Sequence, residues 1–523
     1  MDRKDCINWC QIRPNGARIT PFKHRWCQGP PGSIQVARLA VTGDMENTGK
    51  MTMKDHPYHG NSMTRRWLFG LATAVAMPAV IACGNEGPSA APPAPKAEPT
   101  KAPSIPAATA APTSAPVPTK AAEQVEVTFH SRGGAPTSQE IVLYEEQMPL
   151  FMQQYPSIRI KHEGFTNEDY IKKLTVLLAS NSVGDSLFAN NAAANVFQLI
   201  VQKALRPLDD AVAASKFDLA SYFPGSLAAL RRDGKLYGLP FKSSPGRGVL
   251  YYNQSLLEAR GAGVPTGDWT LEKLVDETRK VGGGELFGHL PGVVQQNLIG
   301  VVRAHGGELV DAEGRKSLLN SPEAATAIAW IHDLIHARRL APAPSTVATM
   351  GGDAKAFAAG KVATLRNGTS FHLSAQNEVK DQFKWFVTVH PKGPGGKGGS
   401  SFECDGYTIA QASRKADQAW EWVRWITRQE AGIRLAEIGG TAGGRVDVYR
   451  SPRLLKFPER QVFLEAMEQG APFRPVFNTL FADYEAAINA ALTPLWEGKE
   501  TPGKSFLDGA TAQVQQVLDR PLP

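Results

Sequence analysis

The chain has 523 residues, five cysteines and a net charge of +7. Most of the excess charge lies near the N-terminus, because residues 67–523 contain 46 Lys or Arg against 45 Asp or Glu. A nucleic-acid-binding surface normally needs a basic excess, so no nucleic-acid partner is predicted. No group of Cys and His has zinc-ligand spacing, so no metal or cofactor is predicted either.

Residues 1–62 contain three of the five cysteines and no clear hydrophobic periodicity. Met63 stands immediately before an apolar segment, and Met51 and Met53 lie a little upstream. We expect translation to start at one of these three methionines. Residues 1–62 are then either not part of the protein or a disordered leader that is discarded.

Residues 63–83 have the parts of an export signal. Arg65 and Arg66 form a paired positive charge, the sixteen residues 67–82 are uncharged, and Cys83 follows small and aliphatic residues. A stable membrane span needs roughly 20 apolar residues, so this segment suits a signal peptide better than an anchor. It resembles a twin-arginine signal that ends in the lipobox of bacterial lipoproteins, in which the cysteine is acylated after cleavage. The resemblance implies attachment to a lipid bilayer through Cys83.

Residues 84–124 contain ten prolines and no aromatic residue. Such a segment cannot bury enough apolar surface to offset its ordering entropy. It is predicted to be a disordered tether, with a reach between roughly 35 Å as a flexible coil and about 125 Å as extended polyproline II.

From residue 125 onwards, strand patterns alternate with helix patterns. Strands are predicted at 125–129, 158–160 and 186–189, and helices at 141–155, 169–180 and 193–204. This alternating order predicts an α/β fold with a mostly parallel sheet.

The second half of the chain continues with a glycine-rich loop between strands predicted at 385–389 and 402–410. A helix predicted at 416–428 carries Trp420, Trp422 and Trp425. These three rings point in different directions around a helix, so we expect core packing rather than a sugar-stacking platform. The last hundred residues are predicted to be mainly helical, and no internal repeat is present.

Six stretches occur in an order that resembles one protein family. They are GKLYGLPFKSSPGRGVLYYNQSLLEARG (234–261), GDWTLEKL (267–274), GGELVDAEGRKSLLNSPEAATAIAWIHDL (306–334), FAAGKVATLRNGTSF (357–371), RKADQAWEWVRWIT (414–427) and GGRVDVYRSP (443–452). From residue 125 to about residue 520, the chain resembles the extracellular solute-binding proteins of ABC importers. The resemblance is to the group that includes maltose and oligosaccharide binders.

The resemblance implies the type II two-lobe α/β fold of periplasmic binding proteins, with a ligand cleft between lobes joined by hinge crossovers. Lobe 1 is then expected at 125–241 plus 390–427, and lobe 2 at 242–389 plus 428–523. The implied protein is a lipid-anchored, extracytoplasmic monomer without enzymatic activity. It captures a small solute, most often a carbohydrate, by hinge closure and delivers it to the permease subunits of an ABC importer.

A carbohydrate site needs planar polar groups for hydroxyl pairs and flat apolar faces for sugar rings, and loops that follow strands supply them. From the first lobe, the candidate ligand-binding residues are Ser131, Arg132, Asn190, Asn191, Phe241, Lys242, Ser243 and Ser244. From the second lobe and the crossovers, they are Gln295, Gln296, Asn297, Asn367, Thr369, Phe371, Glu403, Asp405 and Arg445. For each residue, an ordinary solvated loop position is the alternative.

Two further motifs are predicted to be structural. Residues 498–505 match the phosphate-loop pattern G-x-x-x-x-G-K-[ST], but a helical pattern precedes them where that motif needs a strand, so a polar turn is expected. His332 and His336 approach the zinc motif H-E-x-x-H, but they flank a buried stripe, so a solvated helix flank is expected.

Other functions remain open at this point. The solute could be a glycerol phosphate, a polyamine or a peptide instead of a sugar. The protein could also be a secreted glycosidase that uses two carboxylates, for which Glu403 and Asp405 are one candidate pair. A sensor that signals to a membrane receptor is a third alternative, which the sequence does not separate from transport.

Overall fold

The computed structural model describes residues 124–132, 138–191, 196–396, 398–472, 474, 476 and 481–521, all within one compact unit that begins at Thr113. The predicted leader, the export signal with Arg65 and Arg66, the lipidation site at Cys83 and the tether up to residue 123 lie outside the described residues. Among the described helices, none is both long and apolar enough to cross a membrane.

The described strands are β1 (Val125–Arg132), β2 (Ile158–Phe165), β3 (Ser186–Asn190), β4 (Arg231–Arg232), β5 (Lys235–Leu236), β6 (Gly238–Ser244), β7 (Val249–Asn253), β8 (Phe287–Leu290), β9 (Val362–Asn367), β10 (Trp385–Val389), β11 (Ser401–Ile409) and β12 (Ala471–Pro472).

The described helices up to residue 379 are α1 (Gln139–Gln154), α2 (Asn167–Ala179), α3 (Val196–Val201), α4 (Asp209–Ala214), α5 (Pro224–Ala229), α6 (Gln254–Ala259), α7 (Leu271–Arg279), α8 (Gln295–Ala304), α9 (Pro322–His336), α10 (Pro344–Thr349), α11 (Asp353–Ala358) and α12 (Phe371–Val379). Those that follow are α13 (Ala416–Ile426), α14 (Gln429–Glu437), α15 (Val446–Tyr449), α16 (Pro452–Leu455), α17 (Pro458–Gln469), α18 (Phe481–Trp496) and α19 (Lys504–Leu518).

Two sheets organise the fold. The first has the order β12-β11-β3-β1-β2, with β6 also paired to β11, and the second has the order β10-β7-β9-β8. The predicted mostly parallel sheet is wrong, because both sheets are mixed. β1 pairs in parallel with β2 and β3, as helix crossovers within a βαβ unit require. β11 instead reaches the first sheet from the second one, and it runs antiparallel to both β3 and β6.

Helix α1 illustrates how local sequence positions a side chain near the first sheet. The Ser138 side chain caps the helix by accepting a hydrogen bond from the Ile141 N–H, and the helix ends just before Pro156. The apolar positions of α1, including Tyr144 and Phe151, are buried against the sheet. Because the helix starts directly after Ser138, Glu140 lies in its first turn, where a carboxylate interacts favourably with the helix dipole.

The core of the first sheet is rich in aromatic rings. The Phe129 ring lies 5.3 Å from Tyr144 and 5.0 Å from Trp422, measured between ring centroids. Trp420 and Trp422 are buried in this core, and Trp425 packs against it. The prediction that the three tryptophans serve core packing is therefore confirmed.

Two connections between the sheets approach each other closely. One is the segment between β6 and β7, and the other is the glycine-rich segment between β10 and β11. Gly246, in the first connection, has φ +58°, and a Cβ added there would lie 2.2 Å from the Ser401 hydroxyl oxygen. Only glycine allows the two connections to approach so closely. The lobe boundaries remain a prediction, although β6 keeps its pairing with the first sheet as far as Ser244.

Candidate functional site

A chain of ion pairs lies at one edge of the first sheet. Asp405 on β11 is the register partner of both Lys242 on β6 and Asn190 on β3. The Asp405 carboxylate lies 3.3 Å from the Lys242 ammonium and 3.3 Å from the Arg132 guanidinium at the end of β1. Lys242 also contacts Glu140 directly. Strand pairing thus brings together Asp405, Lys242, Asn190 and Arg132, and the start of α1 adds Glu140.

The protonation states of this group follow from its mutual contacts. Burial raises the pKa of Asp405, but Arg132, Lys242 and a hydrogen bond from Asn190 outweigh it, so the pKa lies below its usual value. Burial lowers the pKa of Lys242, but the carboxylates of Glu140 and Asp405 outweigh it, so that pKa is raised. Two cations and two anions are therefore held charged in a fixed arrangement, which presents oriented donors and acceptors to the space beside them.

Arg247 occupies the connection between β6 and β7, next to the second sheet. Its guanidinium donates to the Asn367 side-chain oxygen at the end of β9, and to the Gln296 side-chain oxygen at 3.4 Å. The Asn367 side-chain oxygen also accepts the N–H of Gly368 at 2.8 Å. Sequence analysis predicted Gln296 and Asn367 but missed Arg247. The available signal was that Arg247 is the single charged residue of the segment SSPGRGV.

Three carboxyl groups experience the positive charge of Arg247. Burial raises the pKa values of Glu403, Glu485 and Asp353, and in each case Arg247 acts in the opposite direction. None of these carboxylates forms an ion pair within 4 Å among the described residues. The connection between the sheets therefore combines one guanidinium, two amides and partly buried acids, which together offer both donors and acceptors.

Several predicted residues of the first lobe serve packing or strand pairing instead. Phe241 lies in the aromatic core, 5.3 Å from the ring of Tyr407. The Ser131 and Ser243 hydroxyl groups are buried and bonded to His162 and Ser226, respectively. The Ser244 hydroxyl accepts the N–H of Gly246, and the Asn191 side chain bonds the backbone of Phe402 and Cys404, which prolongs the pairing of β11.

The same is true of several predicted residues from the second lobe. Phe371 is buried, and its ring lies 4.8 Å from that of Tyr251. Asn297 is buried and donates to the backbone oxygen of Arg366 at 3.3 Å. Gln295 is buried at the start of α8. Arg445 forms a two-hydrogen-bond pair with Asp447 at 2.6 and 2.9 Å, and its guanidinium lies over the ring of Tyr222.

The two motifs predicted to be structural lie in helical surroundings. Residues 497–503 form a turn between α18 and α19, and no strand feeds it. The His336 Nε2 hydrogen-bonds the backbone oxygen of Leu495 at 2.9 Å. No cluster of three or more metal-ligating side chains occurs in the part of the chain that the structure describes.

A family model described as bacterial extracellular solute-binding protein matches residues 133–433. The chain belongs to this family. The family consists of binding proteins, which confirms the prediction of a protein without enzymatic activity and removes the glycosidase alternative. Membership also places the chain among extracellular proteins.

Individual relatives agree with this assignment over most of the chain. A Brucella abortus sequence named as a binding protein, BAB2_0491, is 24% identical over 384 residues, which cover 72% of this chain and 90% of the relative. The ABC substrate-binding protein Lmo0181 from Listeria monocytogenes, solved in complex with cycloalternan, is 21% identical with a TM-score of 0.64 and covers 76% of this chain and 99% of its own. MalE from Xanthomonas citri is 18% identical with a TM-score of 0.65, covering 75% and 97%. The predicted two-lobe α/β fold of periplasmic binding proteins is thereby confirmed.

Proposed function

We propose that this solute-binding protein is the substrate-capturing component of an ABC importer and that its solute is an oligosaccharide. The proposal is carried by two groups of polar side chains, one at the edge of the first sheet and one at the connection that leads to the second sheet. The ion-pair chain around Asp405 belongs to the first sheet, and Arg247 with its two amides belongs to the second. Sugar hydroxyl groups both donate and accept hydrogen bonds. They can therefore bind charged side chains whose charges already balance one another, without bringing a charge of their own.

The similar structures support this choice of solute class. The Listeria monocytogenes protein is described with bound cycloalternan, an oligosaccharide, and the Xanthomonas citri protein is described as a sugar-binding protein. A solute that contacts both polar groups stabilises the closed arrangement of the two lobes, and the permease then recognises that arrangement. Capture needs no chemical step, so the charged side chains act through position and hydrogen bonding alone.

Thermal-shift screening of the full chain, purified in detergent, tests the proposal. A ligand that binds only the folded protein raises its stability by RT ln(1 + [L]/Kd), which is about 2.7 kcal/mol at one hundred times Kd. We expect at least one neutral oligosaccharide to raise the melting temperature. A shift with glycerol phosphates, polyamines or peptides, and none with a broad set of sugars, would overturn the sugar assignment but leave a solute-binding protein.

We further propose that Cys83 is acylated and anchors the protein to the membrane after export through the signal at Arg65 and Arg66. The support is the uncharged segment that ends at Cys83 and the proline-rich stretch behind it. Cells fed with labelled palmitate should label the wild-type protein, and Cys83→Ser should abolish the label and release the protein from membranes. Cys404→Ser is the control, because Cys404 is buried in the first core. A mature N-terminus other than acylated Cys83 in mass spectrometry would contradict the anchor.

A further inference from the structure

A groove that is open to solvent lies between the C-terminal ends of α2 and α3. Its main part is a cavity of about 450 Å³, and a shallower part of about 20 Å³ continues along the same two helices. Thr175, Leu178 and Gln202 line both parts, so the groove is continuous. Every side chain that lines the main part is at least partly exposed. A peptide can therefore reach this lining from the solvent.

The lining of the groove combines small apolar side chains with amides. The apolar wall comes from four aliphatic side chains, Leu178, Val183, Ala204 and Ala412. Gln202 and Gln411 lie beside this wall, and their side-chain amides have no hydrogen-bond partner among the described residues. Such a lining suits a segment with small apolar side chains whose backbone oxygens still need donors.

The groove lies at the edge of the first sheet at which β1 begins. β1 and β3 are parallel, so both start at this edge, and Val183 comes three residues before β3. The Asp185 N–H donates to the backbone oxygen of Thr128 on β1 at 2.7 Å, and the Asp185 carboxylate accepts from the hydroxyl of Ser413, next to Ala412, at 2.8 Å. The lining is therefore within roughly 20 Å of the start of β1.

The segment that precedes β1 has the length and composition to enter this groove. Val117 lies between Pro116 and Pro118, eight residues before Val125. Eight residues of polyproline II span about 25 Å, so Val117 can reach the lining. Val117 and Ile105 are the two large aliphatic residues of the proline-rich segment 84–124.

The chemistry of a proline-rich segment also matches the groove. Polyproline II has no internal hydrogen bonds, so its backbone oxygens can accept from Gln202 and Gln411. The described lining contains no aromatic ring, so the intrinsic affinity is weaker than in aromatic-lined proline-binding grooves. A short linker, however, supplies an effective concentration on the order of 1 mM. An intrinsic Kd of about 0.1 mM would then keep the segment bound roughly nine-tenths of the time.

A second copy of the chain fits this surface less well. A stable protein–protein interface buries about 800 Å² on each partner. Of the four large apolar side chains that are exposed among the described residues, Val176 alone lies on α2 or α3. The surface around the groove therefore offers little apolar area for a protein partner, whereas the groove itself accommodates one extended segment.

We infer that residues 113–119 dock in the groove between α2 and α3, with Val117 against its apolar wall. The inference does not depend on the identity of the solute. Combined with the lipid anchor proposed above at Cys83, docking leaves residues 84–112 as the free part of the tether, which reaches roughly 30 Å as a flexible coil. The edge of the first sheet at which β1 begins then faces the membrane.

Site-specific photo-crosslinking of the full chain, purified in detergent, tests the docking. A benzophenone amino acid replaces Thr119, and mass spectrometry maps the residues to which it becomes linked. Ala412→Trp blocks the groove at an exposed position, and Ala213→Trp at an exposed position on α4 is its matched control. Val117→Asp places a charge against the apolar wall, and Ile105→Asp is its control outside the docked segment.

For wild type we expect roughly half or more of the cross-links to fall on the lining of the groove. Ala412→Trp and Val117→Asp should each reduce that share about fivefold to tenfold, because one fills the groove and the other requires a charge to be desolvated. The two controls should remain within about twofold of wild type. Arg159 on β2 is an internal reference, because it is the register partner of Glu126 near the start of β1 and its side chain is 65% exposed.

Three results would overturn the docking. Cross-links divided equally between the groove and the surroundings of Arg159 would show a segment without a preferred site. Cross-links to the lining that persist in Ala412→Trp would show proximity without docking. Cross-links found only between differently isotope-labelled chains in a mixed sample would show that a second copy covers the groove. Each of these results leaves solute binding and the acylation of Cys83 to their own tests.

Discussion

The guanidinium of Arg247 is bonded to two neutral amides instead of a carboxylate. Asn367 and Gln296 orient it, while Glu403 and Glu485 lie close enough for its charge to oppose the rise of their pKa values. A guanidinium held in this way keeps donors available for a ligand, because five N–H groups exceed what two amide oxygens accept. Its position between β6 and β7 places those donors where the chain passes from the first sheet to the second.

Replacing Arg247 with methionine tests this role, because methionine keeps an unbranched stem but carries no donor and no charge. The solute that stabilises wild type should bind about tenfold to a hundredfold more weakly, because charge-assisted hydrogen bonds each contribute roughly 1.5–3 kcal/mol. Calorimetric titration measures the change. Arg279→Met on α7 is the control, since that side chain is 61% exposed. Unchanged affinity in Arg247→Met would show that the residue only supports the connection.

Helix α8 packs closely on the connection that leads to β11. Gly300 lies in its middle, and a Cβ added there would be 1.7 Å from the Arg366 guanidinium and 2.5 Å from the backbone oxygen of Gly399. Arg366 is fully buried and bonds the backbone oxygens of Gly398 and Gly399 in the connection that leads to β11. The glycine therefore allows α8 to lie directly on this connection.

The change Gly→Ala should have opposite effects in α8 and α19. Gly300→Ala should reduce the free energy of unfolding by about 1–3 kcal/mol, because neither the buried guanidinium nor the backbone oxygen has space to move. Gly509→Ala should raise it by about 0.5–1 kcal/mol, since Gly509 is exposed inside α19 and nothing lies within 4 Å of an added Cβ. Urea unfolding of both variants measures the difference, and equal effects would contradict the packing described for α8.

The second sheet contains titratable groups that affect the stability of the whole protein. His289 and His390 are fully buried with ring centroids 6.3 Å apart, and Arg366 is buried nearby. Burial, reinforced by the charge of Arg366, lowers the pKa of His289 to about 3 and places that of His390 well below its usual value. Both imidazoles are therefore neutral in the folded protein at pH 7.

Stability should consequently fall in mild acid. Because each folded pKa lies below the unfolded value of about 6.5, the unfolded chain binds more protons. The contribution of each histidine is complete above about pH 6.5 and is lost as the pH falls towards the folded pKa. At pH 5 the loss is about 2 kcal/mol for His289, and His390 adds a loss of the same sign.

Urea unfolding at pH 7.5 and pH 5 measures this loss. Between the two pH values, the unfolding free energy of His289→Asn should fall less than that of wild type, by the contribution of one histidine. Asparagine can still bond Thr364, but it does not titrate. Equal stability of wild type at the two pH values would contradict the neutral buried pair.

Local sequence patterns predicted the elements near the site well. The strands at 125–129, 158–160, 186–189 and 385–389 and the helix built around Tyr144 and Phe151 occur as expected, since alternation and helical periodicity depend only on neighbours in the chain. Strand direction was not predictable from the same patterns. β11 runs antiparallel to β3 because it enters the first sheet from the second one, across a connection of eleven residues.

The candidate site was predicted in part, and the reason differs by residue. Arg132, Lys242 and Asp405 were all predicted as ligand contacts, and the structure brings them together at the end of β1 and within β6 and β11. Phe241 and Phe371 are also close to strand ends, but their rings face the cores, and the face that a side chain takes depends on the register of the neighbouring strand.

The order of motifs along the chain was enough to identify the solute-binding family, its α/β fold and the absence of catalysis, because these follow from local patterns that survive at low sequence identity. Folding alone brought Arg247 to Gln296 and Asn367, and enclosed a cavity between α1, α12 and α17. Those contacts join residues that are 49 to more than 300 positions apart, and no local pattern encodes the meeting of such distant side chains.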